Sequence, residues 1–292
     1  MDTLSLELQD RVLWIRLHRP EQLNAFTPAM ADELEIAFDD ASGNDDVGVV
    51  IVTGSGRAFC AGMELTKDGN VFGLDETMQP KLDDFADRFD EPDFISGVRD
   101  TGGRVTLAIH RCRKPVIAAI NGAAVGVGAT MTLAMDFRMM STRARMGFVF
   151  GKLGIVPEAC STWFLPRLVG LEKALEWCLT AELIDADAAL AGGLVRSIHE
   201  PDSLLAEAEA FARKLITDRS PTAIALTKHM LRRNAAGADP AAAHAIESLA
   251  MFYTSQKDGR EGVKAFVEKR APQFTEQASA LPQFAEAWLA DG

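Results

Sequence analysis

Two segments limit what this chain can fold into more than any others: VVIVTGSGRAFCAGMEL at residues 49–65 and KPVIAAINGAAVGVGATMTLAMD at residues 114–136. Each is an apolar, β-branched run that passes at once into a glycine-rich turn and then into a helix-like stretch. A turn of that kind leaves backbone N–H groups unpaired and pointing at one spot. Two of them brought together can hold an oxygen that becomes negative during a reaction. Glycines also serve plain strand-to-helix packing, so the pair carries the reading where either turn alone would not.

The first two thirds of the chain alternate short β-branched runs (Val12–Leu17, Val49–Thr53, Val116–Ile120, Phe137–Ser141) with helical patterns, which predicts βα units around a buried core. From about Pro201 the pattern turns to alanine-rich helices, with LLAEAEAFARKLI an apolar stripe at helical spacing. Between them, Thr66 to Arg104 is rich in Asp, Gly and Phe, a polar stretch long enough to read as a lid. Pro115 to Met135 is nearly uncharged and about as long as a bilayer span. Asn121 and the glycines beside it favour a buried strand, turn and helix instead.

A length of 292 residues and 48% hydrophobic content permit one large core. Thirty basic against 42 acidic side chains give a net charge of −12, which argues against nucleic acid or an anionic membrane as partner. MDTLSLELQDRVLWIRL alternates like a strand and lacks the basic start and apolar core of a signal peptide, so a soluble, cytoplasmic protein is expected. Cys60, Cys112, Cys160 and Cys178 are scattered without metal-ligand spacing, which predicts buried reduced thiols and no metal site.

The spacing and wording of the two glycine turns resemble the crotonase superfamily, also called the enoyl-CoA hydratase/isomerase family. The likeness continues through LHRPEQLNAF (17–26), GIVPEACSTWFLPRLVG (154–170), LTAELIDADAALAGGLV (179–195), SPTAIALTK (220–228) and DGREGVKAFVEKRAPQF (258–274). It implies an α/β crotonase-like spiral of ββα units over residues 1–200, with a variable lid at about 66–104. It also implies a C-terminal helical region, 201–292, that covers the site and builds trimers, often paired into hexamers. The substrate would be an acyl-CoA thioester, with coenzyme A part of it and no prosthetic group.

The resemblance places the two oxyanion N–H groups at Met63 and Val127. Coenzyme A contacts would fall at Ala25, Ala61, Met63, Leu65 and Val127, with Phe266 and Lys269 offered to the adenine and phosphates of a neighbouring subunit's ligand. Lysine suits that role as a point charge. Val127 stands where the family more often has glycine, which narrows backbone freedom there.

The acid/base residues depart from the hydratase pattern of two glutamates, whose positions hold Thr130 and Phe150 here. No Asp or Glu lies between Asp136 and Glu158, and Asp136 reads as structural. Glu158, in VPEACSTW, resembles the catalytic glutamate of peroxisomal-type enoyl-CoA isomerases; crotonase-like dehalogenases have a nucleophilic aspartate there. Phe148, Phe150 and Trp163 are the apolar neighbours expected to raise its pKa by desolvation. The plainer alternative makes Pro157 the first residue of a helix and Glu158 a dipole-compensating acid.

Glu64 reads as a turn or helix-start residue, and His110, Arg113 and Lys114 as solvated or paired. His229 and His244 fall in the helical tail with no triad spacing. One carboxylate suits isomerisation of a 3-enoyl-CoA to a 2-enoyl-CoA, whereas hydration usually shares its work between two. A hydratase with help from a lid acid such as Asp75 or Glu76 is the alternative. A hydrolase or dehalogenase-like enzyme and a catalytically silent CoA-binding protein follow.

Overall fold

Every β-branched run named above enters one large sheet. The computed structural model describes residues 1–65, 70–72, 74–235 and 240–290. Strands β1 (Leu4–Gln9) and β2 (Val12–Leu17) form an antiparallel hairpin turned at Asp10 and Arg11, both at positive φ. After helix α1 (Pro28–Gly43) come β3 (Val49–Gly54) and β4 (Ala58–Cys60). Helices α2 (Asp84–Asp87), α3 (Pro92–Gly97) and α4 (Thr101–Arg111) precede β5 (Val116–Ile120), β6 (Ala123–Val125) and the single turn α5 (Val127–Thr130).

The chain continues through β7 (Phe137–Ser141), β8 (Arg145–Gly147), α6 (Ser161–Val169), α7 (Leu171–Thr180), β9 (Leu183–Asp185), α8 (Ala186–Ala191) and β10 (Ser197–His199). Five helices close it: α9 (Leu204–Ile216), α10 (Pro221–Asn234), α11 (Pro240–Thr254), α12 (Asp258–Glu268) and α13 (Gln283–Ala290).

Among the described residues two sheets form, in the order β1-β2-β3-β5-β7-β10 and β4-β6-β8-β9. The pairs β3/β4, β5/β6 and β7/β8 each send one strand to the large sheet and the next to the small one, a repeated ββ unit that winds as a spiral. This is the α/β arrangement expected from the sequence. One face of the large sheet joins α1 and α4 in the main core around Phe26, Phe38, Val50 and Ile109. Its other face is closed by α9, which buries Leu204, Ala208, Ala212 and Ile216 against Trp14, Ile51 and Ile117. The apolar stripe LLAEAEAFARKLI is therefore the outer cover of the spiral.

The stretch Pro115 to Met135 is β5, β6, α5 and a short 3-10 turn, and no helix among the described residues is long and apolar enough to cross a membrane. Of the lid stretch, 66–69 and 73 lie outside the described residues. The rest contains α2, α3 with its buried Phe94, and the first turn of α4, so the polar run ends at Asp100 and not at Arg104.

Asp136 is structural. Its carboxylate accepts from the Val116 N–H (2.8 Å) and pairs with Lys228 (2.9 Å) and Arg232 (2.8 Å), which ties the spiral to α10. Burial alone would raise its pKa, but these two cations hold it below the ordinary aspartate value. Asp136→Asn leaves a buried lysine and a half-buried arginine each short of a partner, and an equilibrium urea titration should show a loss of about 3 kcal/mol.

Candidate active site

The two glycine turns meet because β4 and β6 pair in parallel, Ala58 opposite Ala123 and Cys60 opposite Ala124. A Cβ on Gly128 would overlap the carbonyl oxygen of Cys60, so only glycine allows this approach. In the first turn, Gly62 has φ +103°, and its carbonyl accepts from the Phe26 N–H at 2.7 Å, while the Glu64 N–H donates to the Phe26 carbonyl at 2.9 Å. A parallel pairing of this register directs the N–H of Met63 away from Phe26. In the second turn Gly126 takes the unusual conformation (φ 56°, ψ −125°), so Val127 needs no special freedom and opens α5. The first N–H groups of a helix have no intrahelical acceptor.

Met63 and Val127 both line a cavity of about 230 Å³, together with Ala61, Leu65 and Glu158. Most of the remaining wall is apolar, with Phe72 and Leu74 from the 66–104 stretch and Phe150, Leu153 and Ile155 from the segment before Glu158, while Asp100 and Thr101 add polar groups at the start of α4. Ala25 is absent from this lining; its carbonyl accepts from Arg19 at 2.7 Å. Phe266 and Lys269 are absent as well. Phe266 is 85% exposed, and Lys269 caps α12 at φ 56°.

Glu158 is not a helix-start residue. Helix α6 begins at Ser161, and the two residues between, Ala159 (φ 56°) and Cys160 (φ 53°), are both left-handed. Consecutive non-glycine residues there store strain of about 1–3 kcal/mol each and persist only when neighbours hold them. This turn carries the Glu158 side chain into the cavity. The Thr130 hydroxyl lies 2.7 Å from Oε1 and donates to it, so the threonine at a hydratase glutamate position serves the remaining glutamate. Gly102, in the first turn of α4, leaves room for Oε2, since a Cβ there would overlap it.

Burial raises the Glu158 carboxyl to a pKa of about 8, helped by the neighbouring Asp100 carboxyl and opposed by the Thr130 hydrogen bond. Of the three aromatic residues expected to desolvate it, only Phe150 lines the cavity. Phe148 lies fully buried in the main core, and Trp163 packs edge-on to Phe164 and His110 around a separate cavity. Asp100 and Gly102 are the site residues that sequence reading missed. The pattern D-T-G-G does mark a helix start, and Asp100 does cap α4, but nothing local shows what that cap faces.

Asp75 and Glu76 do not line the cavity; Asp75 binds Thr77, and Glu76 binds Asn70. Glu64 pairs with Arg19 at 2.8 Å and Arg113 with Glu286 at 2.6 Å, and Lys114 is buried 3.7 Å from Asp45. Burial, together with Arg232, pushes His110 down to about 4, and burial with Lys228 pushes His229 to about 3. All four cysteines are free; Cys60 and Cys112 are buried, Cys160 and Cys178 only half-buried. No cluster of metal-ligating side chains occurs among the described residues.

The family profile for enoyl-CoA hydratase/isomerase matches residues 7–277. The chain belongs to this family, the crotonase superfamily. It is 36% identical to the enoyl-CoA hydratase ACTT3 of Alternaria alternata over 91% of its own length and 83% of that protein's. It is 31% identical to the 1,2-epoxyphenylacetyl-CoA isomerase of Escherichia coli (strain K12), over 94% and 99% of the two chains. Among solved structures, a probable enoyl-CoA hydratase/isomerase from Mycobacterium abscessus superposes with a TM-score of 0.80 at 29% identity, covering 94% of this chain and 99% of that one. The crotonase spiral is thus shared over nearly the whole length.

The raised carboxyl has a consequence for stability. The folded crotonase-family chain keeps the Glu158 proton up to about pH 8, whereas the unfolded chain releases it near 4.5, so this group costs stability as pH rises through that window. Glu158→Gln lacks that loss. Its melting temperature relative to the wild type should rise between pH 6 and pH 9, by the equivalent of about 1 kcal/mol or more after allowance for solvent at the cavity mouth.

Proposed function

We propose that the protein is an enoyl-CoA isomerase that converts a 3-enoyl-CoA to the conjugated 2-enoyl-CoA with Glu158 as its single base. The observation that carries this reading is one carboxyl with raised proton affinity, in an apolar cavity that also holds Met63 and Val127. The N–H groups of those two residues would take the thioester oxygen as it gains charge, which makes the α-proton acidic. Glu158 removes that proton and returns it to the γ-carbon, shifting the double bond into conjugation. Thr130 supports the carboxylate while it waits, and Phe150 replaces the second glutamate with an apolar wall.

Ala61, Leu65 and Ala25, on the turn and the loop it pairs with, would contact the coenzyme A arm. Phe266 and Lys269 would meet the ligand of a neighbouring subunit in a trimer or hexamer. Exposed apolar side chains on the C-terminal helices, among them Phe252, Val263, Phe266 and Val267, support such an assembly, since solvent is a poor neighbour for so many. Hydration of a 2-enoyl-CoA is the second reading. It is favoured by a second carboxyl, Asp100, in the cavity lining and by the name of the Alternaria alternata relative.

Absorbance of the conjugated thioester separates the two readings. With a 3-enoyl-CoA, conjugation should appear with the wild type, and Glu158→Gln should lose at least about 100-fold, the scale of a general-base contribution. Loss of absorbance from crotonyl-CoA without any gain from the 3-enoyl-CoA identifies a hydratase. Because the base must be ionised, kcat/KM should climb with pH to about 8 and level off above it. Gly102→Ala pushes Oε2 aside while leaving the helix intact, and the same assay should show a loss of about 100-fold, the cost of a misplacement near 1 Å.

A further inference from the structure

We propose that Asp100 is a positioning residue for Glu158: its carboxylate ties the Ala159–Cys160 turn to the start of α4 and stands as a second acid in the cavity that Glu158 enters. Oδ1 of Asp100 accepts from the Gly103 N–H, as the N-cap of α4, and also from the Ala159 N–H at 3.1 Å. The second bond crosses between elements far apart in the chain and falls on the first of the two left-handed residues that aim Glu158. A turn under that strain stays in one conformation only if something outside it holds it. The Ser161 N–H closes the turn on the Glu158 carbonyl at 3.0 Å, and Asp100 supplies the anchor to a rigid helix.

Asp100 and Glu158 line the same cavity, and the Asp100 charge is the acidic neighbour that adds to burial in keeping the Glu158 proton on. The other titratable groups around the pair do not offset it. From β4, the Cys60 thiol is pushed by burial to about 12 and stays neutral. From the turn itself, burial raises the Cys160 thiol. Arg99, next to Asp100 in the chain, lays its guanidinium 3.7 Å from the centre of the Phe89 ring and donates to the Phe89 carbonyl, on the lid side. Asp100 is itself exposed, so solvent weakens its charge, and a bound acyl chain would strengthen it by displacing that solvent.

The inference rests on Glu158 being the base, but its test does not require turnover. The probe is the C=O stretching band of the protonated Glu158 carboxyl, followed by infrared difference spectroscopy against pH and assigned by its absence in Glu158→Gln. Asp100→Asn keeps an oxygen that accepts both N–H bonds and removes the charge; Asp100→Ser, another good N-cap, serves if the asparagine variant does not fold. The titration midpoint of Glu158 should fall by about one pH unit, the low end of what a neighbouring charge does to a carboxyl. The rising limb of kcat/KM for a 3-enoyl-CoA should move with it.

An unmoved midpoint in a folded Asp100→Asn overturns the part assigned to the charge, whatever happens to the rate, and an Asp100→Ala band no different from that of Asp100→Asn overturns the part assigned to the anchor. A midpoint that moves in a protein with no isomerase turnover supports the role of Asp100 and removes the isomerase reading alone. Asp100→Ala, which loses the anchor as well as the charge, should broaden or shift the band beyond what Asp100→Asn shows.

Discussion

The close parallel approach of β4 and β6 is the contact on which the rest of the site depends. It brings Gly128 against the Cys60 carbonyl at a distance no side chain tolerates, and it sets the Gly62 and Gly126 turns side by side. Each turn takes its unusual backbone angles at glycine, so the residues that follow, Met63 and Val127, are ordinary in conformation and differ only in where their N–H groups point. The spiral of ββ units exists to make this approach. A large sheet covered on both faces supplies rigidity, and the short second strand of each unit carries the backbone out to the cavity.

The same fold treats two carboxylates in opposite ways. Asp136 ends the helical stretch after the second turn and receives two cations from α10 as well as a backbone N–H, so it stays charged and locks elements together. Glu158 enters an apolar pocket with a hydroxyl on one side and another acid on the other, so its charged form is disfavoured until a task calls for it. Burial penalises both charges. What separates an acid held charged from one held protonated here is the sign of the charges that the neighbouring helices present.

Much of the scaffold was legible along the chain. The four β-branched runs are β2, β3, β5 and β7 almost to the residue, and the stripe LLAEAEAFARKLI is α9, because period and β-branching are local properties. The three-residue strands β4, β6, β8, β9 and β10 were not legible, since a run so short has no period and is made by its partners. Pro157 and Glu158 carry the signature of a helix start, yet the helix begins later, since the site needs the turn at Ala159 and Cys160. Phe148 and Trp163 lie near Glu158 in the chain, but Phe148 is buried in the main core away from the cavity and Trp163 lines a separate cavity.

By itself the sequence determined the class of fold, the two glycine turns, the absence of a second glutamate and the prominence of Glu158, all of which are statements about residue type at a fixed spacing. Tertiary structure decided that Thr130 serves Glu158, that Gly102 makes room for it, that Asp100 anchors its turn and that its proton is held to about pH 8. Those outcomes depend on distance and burial between α4, α5 and the turn before α6. Distance through space is the one quantity that order along the chain does not contain.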